Sequence, residues 1–426
     1  MKKILVIVND SYLSAAVRLA RDGYDVELWN VPFTCTGLPR VETAMWGWPN
    51  VKIVDDPFHG GAPGADAYVF FDIGLGGTQE FLHNLGYYVW GSGYVGGYEA
   101  NREAFKLLLE ELGYPVSPWR VFWGLEELER FAKDHPEQMY GRYIKLHLFR
   151  GTTETFHVSS VVNLYRYLQW LKLRVTEEAA NRLVFVVEDP IPDAIEAGID
   201  AWRFEDGSWP QHVLWGVEVK NRAYAGLVTP SSQCPVYKIS RDVLEAMIER
   251  NGNRWYNGFY STEIRITPDG KQYMLEPTLR APSPPYQAYV SGLDNFSEIV
   301  LGHDIEGKWR NKYFVIAFAN IDMPKGNPPT TELILPKELV FFDSTWQGIT
   351  LEAGMFVNEM DSYVRVQVSS EGPDCGLAVI GQGQSFGHAY QNLCEAAAQV
   401  EAVNPVTVNI DAAEEAIGNV LELIND

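Results

Sequence analysis

Cysteine is scarce in this sequence: the 426 residues include four, and no two of them are spaced as CxxC. This scarcity argues against a disulfide framework and favours buried, reduced thiols. The eight histidines form neither HxxxH nor HExxH, so the common helical zinc motifs are missing as well. The chemistry of the protein must therefore come from carboxylates, cations and backbone groups.

Positive charge is also in deficit, with 34 Lys and Arg against 56 Asp and Glu and a net charge of -22. Such a balance disfavours direct nucleic-acid binding and binding to an anionic membrane, so any phosphate must be held locally, by a built site. The apolar run at the start, MKKILVIVND, is too short for a transmembrane helix and lacks the features of a signal peptide. We expect a cytoplasmic protein that acts on small molecules, and the sequence is compatible with a homodimer.

The first ninety residues alternate between apolar β-branched runs and helical segments. KILVIV, AYVFFDIG and YYVWGSG are typical of strands, and SAAVRLARDGYDVELW predicts a helix followed by a strand. This alternation predicts an open parallel α/β domain over residues 1–94, with a ligand crevice at the carboxyl ends of its strands.

The rest of the chain predicts mixed α and β structure. A length of 426 residues favours two or three domains. We place a two-lobed α+β domain at 95–305, with a small lobe over about 118–190, and a C-terminal mixed α/β lobe at 306–426.

A hairpin is predicted where STEIRIT and QYMLEPTLR flank Pro268-Asp269-Gly270. A two-residue loop would place Glu263 directly opposite Glu276, and a four-residue loop would make them diagonal neighbours. In both registers these carboxylates share a face with Arg265, because side chains alternate along a strand.

Two adjacent carboxylates repel each other unless a proton or a cation lies between them. A magnesium ion held by Glu263, Glu276 and the Thr278 hydroxyl would relieve this repulsion, and Arg280 nearby could bind a phosphate or carboxylate. The alternative is that the carboxylates pair with Arg265 and Arg280 on a solvated face.

Several cations are candidates for binding a polyphosphate. Arg102 and Lys106 lie four residues apart on a predicted helix, next to the glycine-rich loop WGSGYVGG, and Lys145 interrupts the apolar run RYIKLHLF just before the polar loop RGTTET. The alternatives are a solvated helix face for the first two, and for Lys145 an edge-strand lysine that discourages aggregation.

The run VVEDPIPDAIEAGIDAW places Glu188 at a strand end and Glu196 shortly after it. Such a connection could contact an adenine edge and ribose hydroxyls, although an ordinary loop is the alternative. Lys220 is a further cation in a strand-like segment, with the same two interpretations as Lys145.

Taken in order, these motifs resemble the ATP-grasp superfamily, and within it phosphoribosylamine-glycine ligase. The resemblance extends over nearly the whole chain and implies ATP and Mg²⁺ or Mn²⁺ as cofactors. It implies that Lys145 contacts ATP phosphate beneath a flap containing Gly151, that Glu188 and Glu196 belong to the nucleotide hinge, and that Lys106 and Lys220 also contact the nucleotide. By the same resemblance, Arg102 and Arg280 are catalytic, and Glu263, Glu276 and Thr278 hold the metal.

The sequence departs from this family in three places. Thr278 stands where the family has asparagine, APSPP replaces a GDPE motif, and FFDIGLGG replaces a Gly-Pro-Glu loop. We therefore expect an ADP-forming ligase that joins a different carboxylate to a different amine through an acyl phosphate. The alternatives are a catalytically degenerate nucleotide-binding or scaffold protein, and a nucleotide-sugar transferase.

Overall fold

The structure is a computed structural model. It describes residues 2–8, 12–30, 51–54, 57–58, 64–147, 155–220, 222–252, 255–321, 325–326, 329–336, 340–342, 349–351, 359–360, 363–370 and 377–425.

The helices of the described part are mostly short, apart from two long ones near the C-terminus. They are α1 Leu13–Arg21, α2 Gly76–Asn84, α3 Gly97–Ala100, α4 Arg102–Glu111, α5 Leu125–Asp134, α6 Val161–Arg174, α7 Glu177–Ala180, α8 Tyr237–Arg250, α9 Tyr286–Gly292, α10 Phe296–Val300, α11 Phe386–Val403 and α12 Ile410–Asn425.

The strands are numbered in the same way along the chain. They are β1 Lys3–Val8, β2 Asp25–Asn30, β3 Val51–Ile53, β4 Ala67–Phe70, β5 Tyr88–Trp90, β6 Trp119–Trp123, β7 Tyr143–Leu146, β8 Thr155–His157, β9 Val184–Glu188, β10 Ile195–Arg203, β11 His212–Val219, β12 Ala223–Pro230, β13 Gly258–Ile266, β14 Gln272–Thr278, β15 Tyr313–Ile321, β16 Lys325–Gly326, β17 Pro329–Pro336, β18 Val340–Phe342, β19 Ile349–Leu351, β20 Glu359–Met360, β21 Tyr363–Ser370, β22 Leu377–Gly383 and β23 Val406–Val408.

The chain divides into two compact units, neither of which is continuous in sequence. Unit 1 comprises Met1–Gly96, Glu196–Thr262 and Thr278–Asp426, and unit 2 comprises Gly97–Ile195 and Glu263–Pro277. The three-part division expected from the sequence, with boundaries near residues 94 and 305, stays a prediction.

Unit 1 begins with the expected parallel α/β layer. Strands β3, β2, β1, β4 and β5 pair in that order, and each neighbouring pair is parallel. The residues Ile4–Val8 of β1 are buried, as a continuous apolar run at the centre of a parallel sheet requires. Because β2 lies on one side of β1 and β4 on the other, the connections reverse direction between β1 and β4. The carboxyl ends of these two strands therefore flank the crevice where open α/β sheets bind ligands.

The second sheet of unit 1 is antiparallel and follows the order β10, β11, β12, β15, β22, β18, with β23 beside β15. Gly198, Gly216 and Gly226 lie opposite one another on β10, β11 and β12. A Cβ atom at Gly198 would lie 2.0 Å from the Thr262 carbonyl oxygen, and one at Gly226 would lie 2.4 Å from the Tyr224 hydroxyl. These positions therefore require glycine because the neighbouring backbone and the Tyr224 ring fill the space.

Unit 2 is a small α+β lobe with its own core. Its sheet has the order β6, β9, β7, β8, and each neighbouring pair is antiparallel. Buried apolar residues of the strands pack against those of α5 and α6, including Phe122, Leu128, Ile144, Leu168 and Phe185. These buried residues form one contiguous core, which fixes the strands and therefore the positions of the polar side chains at their ends.

Within the described residues, no helix is both long enough and apolar enough to cross a membrane.

We expect Gly198→Ala to lower the free energy of unfolding by about 1–3 kcal/mol, since its methyl group would displace the Thr262 backbone. Gly97→Ala is the matched control, because a Cβ there meets no atom within 4 Å. Urea unfolding of both variants measures the difference. Equal stabilities would show that the strands move apart at no cost.

Candidate functional site

Helix α4 places two basic side chains, Arg102 and Lys106, in buried positions of unit 2. Asn101 caps the helix, and its side-chain oxygen accepts a hydrogen bond from the Ala104 amide at 2.9 Å. Arg102 and Lys106 follow one turn apart, as the sequence predicted, but neither is on a solvated face. Arg102 is 6% exposed and Lys106 is 2% exposed.

The sheet register brings Lys145 and Glu188 onto one face. Lys145 lies directly opposite Val186, and Glu188 is two residues further along the same strand, so the two charged side chains are diagonal neighbours. Strand β7 lies between β9 and β8, and Lys145 is buried. The edge-strand interpretation of Lys145 is therefore wrong.

Glu188 is the centre of a buried ion cluster. Its Oε2 lies 3.1 Å from Lys106 Nζ, and its Oε1 lies 3.5 Å from Lys145 Nζ. Burial alone would raise the pKa of Glu188, but Lys145 and Lys106 hold that pKa below its usual value, so the carboxylate is ionised. Burial, together with the nearby Lys145 and Arg102, lowers the pKa of Lys106.

Glu276 joins this cluster from the β13–β14 hairpin. Its carboxylate accepts a hydrogen bond from the Arg102 guanidinium. The set Arg102, Lys106, Lys145, Glu188 and Glu276 thus has three cations and two carboxylates. Cations held in a buried setting interact strongly with an anionic ligand, since few waters are available to screen them.

The hairpin turn differs from both registers considered from the sequence. The Gly270 amide donates to the Thr267 carbonyl at 2.8 Å, the Thr267 amide donates to the Lys271 carbonyl at 3.0 Å, and Gly270 has φ of 77°. This is a three-residue loop with a glycine bulge, which places Ile266 opposite Gln272 at the strand ends.

The loop length changes which side chains share a face. If the strands pair regularly beyond the turn, Glu263 lies opposite Leu275 and Ile264 lies opposite Met274, which would put the two glutamates on opposite faces. Ile264 and Met274 are both buried, at 1% exposure or less. The common face predicted for Glu263 and Glu276 stays a prediction.

The magnesium or manganese ion that the resemblance implies would need side chains of the protein as ligands. In the part of the chain that the structure describes, no group of three or more His, Cys, Asp or Glu side chains could hold a metal ion. Magnesium is often bound by one or two carboxylates while phosphates and waters complete its shell. The described residues form no protein cage for a metal, and the metal role of Glu276 stays a prediction.

Arg280 belongs to the crevice of unit 1. Its guanidinium donates to the Tyr12 hydroxyl at 2.8 Å and lies 4.0 Å from the Asp72 carboxylate. Tyr12 follows β1 and Asp72 follows β4, so Arg280 lies at the reversal point of the parallel sheet.

The backbone at this reversal point is strained. Tyr12 has φ of 66° and Leu75 has φ of 62°, in the left-handed region that non-glycine residues rarely adopt. The Tyr12 hydroxyl also donates to the Ala281 carbonyl at 2.8 Å, which ties the residue to the chain next to Arg280. Strain of this kind is concentrated at ligand sites.

The other predicted site residues do not belong to the ion cluster of unit 2. Glu196 is the second residue of β10, Thr278 ends β14 in a buried position, and Lys220 is exposed just after β11. All three are in unit 1. Gly151 and most of RGTTET lie outside the described residues. Their assigned roles stay predictions.

Side chains of helix α2 occupy the space beside the glycine-rich loop WGSGYVGG. The stretch Gly91–Gly96 fits the GxGxxG spacing of dinucleotide loops, but the Gly93 amide donates to Gln79 and the Tyr94 amide donates to Glu80. A Cβ at Gly93 would lie 2.3 Å from the Glu80 carboxylate. The loop therefore packs on α2, and its amides do not form a phosphate cradle.

A second glycine pattern, GxSxG at residues 383–387, marks a helix start. Ser385 has φ of -153°, and its hydroxyl accepts a hydrogen bond from the His388 amide at 3.2 Å, as an N-cap does. A nucleophile elbow requires a strained serine backbone, which this position lacks.

The sequence arguments missed Asp200, a buried carboxyl on β10. Ser261 and Tyr224 each donate a hydroxyl hydrogen bond to it at 2.8 Å. Desolvation outweighs these bonds and raises the pKa of Asp200 to about 7. A single aspartate inside the otherwise apolar run GIDAW was the available signal, because aspartate is depleted in strand interiors.

Comparison with known proteins identifies the fold and no closer kinship. No protein-family model and no curated protein sequence matches the chain. Solved structures that match include phosphoribosylamine-glycine ligase from Thermotoga maritima, with 15% identity, a TM-score of 0.57, and coverage of 95% of this chain and 97% of that one. The L-amino acid ligase from Bacillus licheniformis matches with 14% identity, a TM-score of 0.61, and 96% and 98% coverage.

A third similar structure is the biotin carboxylase domain of 2-oxoglutarate carboxylase from Hydrogenobacter thermophilus, in complex with MgADP, ADP and bicarbonate. It shares 13% identity, with a TM-score of 0.61 and coverage of 96% of this chain and 92% of that one. Together these matches show that the chain has the ATP-grasp fold. They confirm the resemblance stated from the sequence, at the level of fold.

We expect Asp200→Asn to stabilise the protein at pH 8 and to have little effect at pH 4. Folding raises the pKa of this carboxyl, so the folded state binds more protons than the unfolded state and loses stability as the pH rises from about 4 to about 7. Removing the charge should recover about 2–4 kcal/mol at pH 8. Urea unfolding at both pH values measures this.

Asp206→Asn is the control, because hydrogen bonds from Ser208 lower the pKa of that exposed carboxyl. An equal response of the two variants to pH would show that Asp200 does not titrate in this range.

Proposed function

We propose that the protein is an ATP-dependent, ADP-forming ligase that joins a carboxylate to an amine through an acyl phosphate. The observation that carries this proposal is the buried cluster in which Lys106 and Lys145 lie beside the Glu188 carboxylate, with Arg102 nearby. Support comes from the ATP-grasp fold, since the similar structures include two ligases and a carboxylase domain bound to MgADP.

In this proposal, Lys145 and Arg102 bind the phosphates of ATP, and Glu188 holds both lysines ready for the ligand. Two nitrogen atoms fixed by one carboxylate lose little freedom when the phosphates arrive, which reduces the entropic cost of binding. Glu276 would be the carboxylate of this cluster that holds a magnesium ion, and such an ion would supply positive charge to offset that of the phosphates.

The second substrate would be the carboxylate, and Arg280 is its proposed binding residue. The guanidinium donates to the Tyr12 hydroxyl and lies near Asp72 at the reversal point of the parallel sheet, and a guanidinium is suited to bidentate binding of a carboxylate. The carboxylate oxygen attacks the γ-phosphorus and ADP leaves. The amine then attacks the acyl carbon, phosphate leaves and the C–N bond forms, so no covalent enzyme intermediate is needed.

A second candidate is a nucleotide-binding protein without turnover. The observation favouring it is that no group of three or more His, Cys, Asp or Glu side chains among the described residues could hold a metal ion, while Thr278 replaces the asparagine of the family. A single carboxylate binds magnesium more weakly than two. ATP binding with no ADP release, across a panel of acids and amines, would select this candidate.

We expect Mg·ATP to raise the melting temperature of the native protein, because a ligand that binds only the folded state stabilises it by mass action. The rise should be lost in Lys145→Met, which removes a buried cation from Glu188. Lys172→Met is the matched control, since Lys172 pairs with Glu129 in a more exposed position of the same unit. Thermal unfolding with and without Mg·ATP is the measurement.

No rise in the native protein would overturn nucleotide binding altogether. A rise that survives in Lys145→Met would place the nucleotide elsewhere.

For an acid and amine that the protein joins, we expect Arg280→Gln to raise KM for the acid about tenfold or more and to leave KM for ATP within about twofold. A neutral amide keeps the polar contact with Tyr12 but loses the charge that attracts the carboxylate. Steady-state ADP release, with each substrate varied in turn, separates the two constants. An unchanged KM for the acid would remove Arg280 from the acid site.

A further inference from the structure

His147 lies just past the end of β7, on the same side of the sheet as Lys145. In the ladder between β7 and β9, Lys145 lies opposite Val186. The ladder continues beyond the strand, since the His147 amide donates to the Val184 carbonyl at 2.8 Å. Leu146, between the two polar residues, belongs to the apolar core. Because side chains alternate, His147 projects from the face that carries Lys145, about 7 Å further along the strand.

The imidazole of His147 is held in its neutral form. Within the described part of the chain, its Nδ1 is buried and has no hydrogen-bond partner. Burial is the main influence that lowers the pKa of His147; Glu103 on helix α4 opposes this shift, and Arg102 adds to it. The side chain is therefore uncharged at neutral pH.

The burial of Nδ1 also indicates which nitrogen carries the hydrogen. A neutral imidazole has one N–H donor and one acceptor nitrogen. A buried N–H without an acceptor is rarer in proteins than an acceptor without a donor, because it is the more costly of the two. The hydrogen is therefore assigned to Nε2. Since the residue as a whole is partly exposed, this N–H is the polar group of the ring that a ligand can meet.

A neutral donor suits a position beside the ion cluster. Lys145 and Arg102 already lower the pKa of Lys106, which shows that the cations of the cluster repel one another. A further cation on this face would increase that repulsion. An uncharged N–H can donate to an anion without this cost, and hydrogen bonds to a charged acceptor are stronger than those between neutral groups.

We propose that His147 is a further phosphate-binding residue, whose neutral imidazole donates a hydrogen bond from Nε2 to an oxygen of the phosphate that Lys145 binds. This inference rests on the proposed nucleotide binding and adds a residue to its site. Lys145 supplies charge to the phosphate, and His147 supplies a directed hydrogen bond from the next outward-facing position of the same strand.

Three variants of His147 test the assignment, with Kd for Mg·ATP measured by isothermal titration calorimetry. Glutamine places its amide nitrogen near the position of Nε2, asparagine places its nitrogen near that of Nδ1, and leucine has no donor. We expect His147→Gln to bind Mg·ATP within about threefold of the native protein, and His147→Asn and His147→Leu to bind it about tenfold or more weakly.

The melting temperature without nucleotide separates ligand binding from a structural role. His147→Leu removes a buried nitrogen that has no partner, so the melting temperature should not fall even though the affinity does. His135→Leu is the matched control, because His135 is an exposed histidine that follows α5 in the same unit. It should bind Mg·ATP as the native protein does. If His147→Leu fails to fold, the comparison of glutamine with asparagine still decides the question.

Native affinity in all three His147 variants would overturn the inference, and so would binding that asparagine retains and glutamine loses, because Nδ1 would then be the donor. A joint fall of affinity and melting temperature in His147→Leu, with equal losses in the other two variants, would assign His147 a structural role instead. Failure of the proposed function is a different result, in which the native protein itself does not bind Mg·ATP. If the native protein binds it and Lys145→Met does not, while the His147 variants match the native protein, the nucleotide site stands and the role of His147 falls.

Discussion

A carboxylate buried among three cations is the constraint on which the candidate site depends. Glu188 cannot be ionised at 4% exposure unless cations lie beside it, and Lys106 and Lys145 meet that requirement from two different elements. The carboxylate in turn offsets the positive charge of both lysines. Helix α4 and strands β7 and β9 are thereby held in one arrangement by electrostatics as well as by the apolar core beneath them.

A comparable constraint acts in unit 1 around the aromatic ring of Tyr224. Gly216 and Gly226 leave the space that this ring occupies, and its hydroxyl reaches the buried Asp200. The sheet tolerates three neighbouring glycines because the Tyr224 ring and the backbone of the adjacent strand fill the space that side chains would otherwise occupy. Stability here depends on shape, whereas stability in the ion cluster depends on charge.

Several sequence arguments reached the correct element but not the correct detail. From the sequence, Lys145 could be either an edge-strand lysine or a ligand contact. The sheet order, with β7 between β9 and β8, excludes the edge strand. The loop WGSGYVGG had the composition of an anion site, yet Gln79 and Glu80 accept its amide hydrogens. Local composition cannot report which distant side chain will take a backbone donor, because that depends on how α2 packs.

The sequence alone is sufficient to predict the open parallel layer of unit 1, the helix that begins at Arg102, the hairpin and the resemblance to the ATP-grasp superfamily. These follow from periodicity, glycine and proline positions and the order of motifs, all of which are local properties of the chain. Only the tertiary structure decided the register of the hairpin, the contact between Arg102 and Glu276, and the burial of Asp200. One residue more or less in a turn moves every following side chain to the other face, and no local pattern fixes that choice.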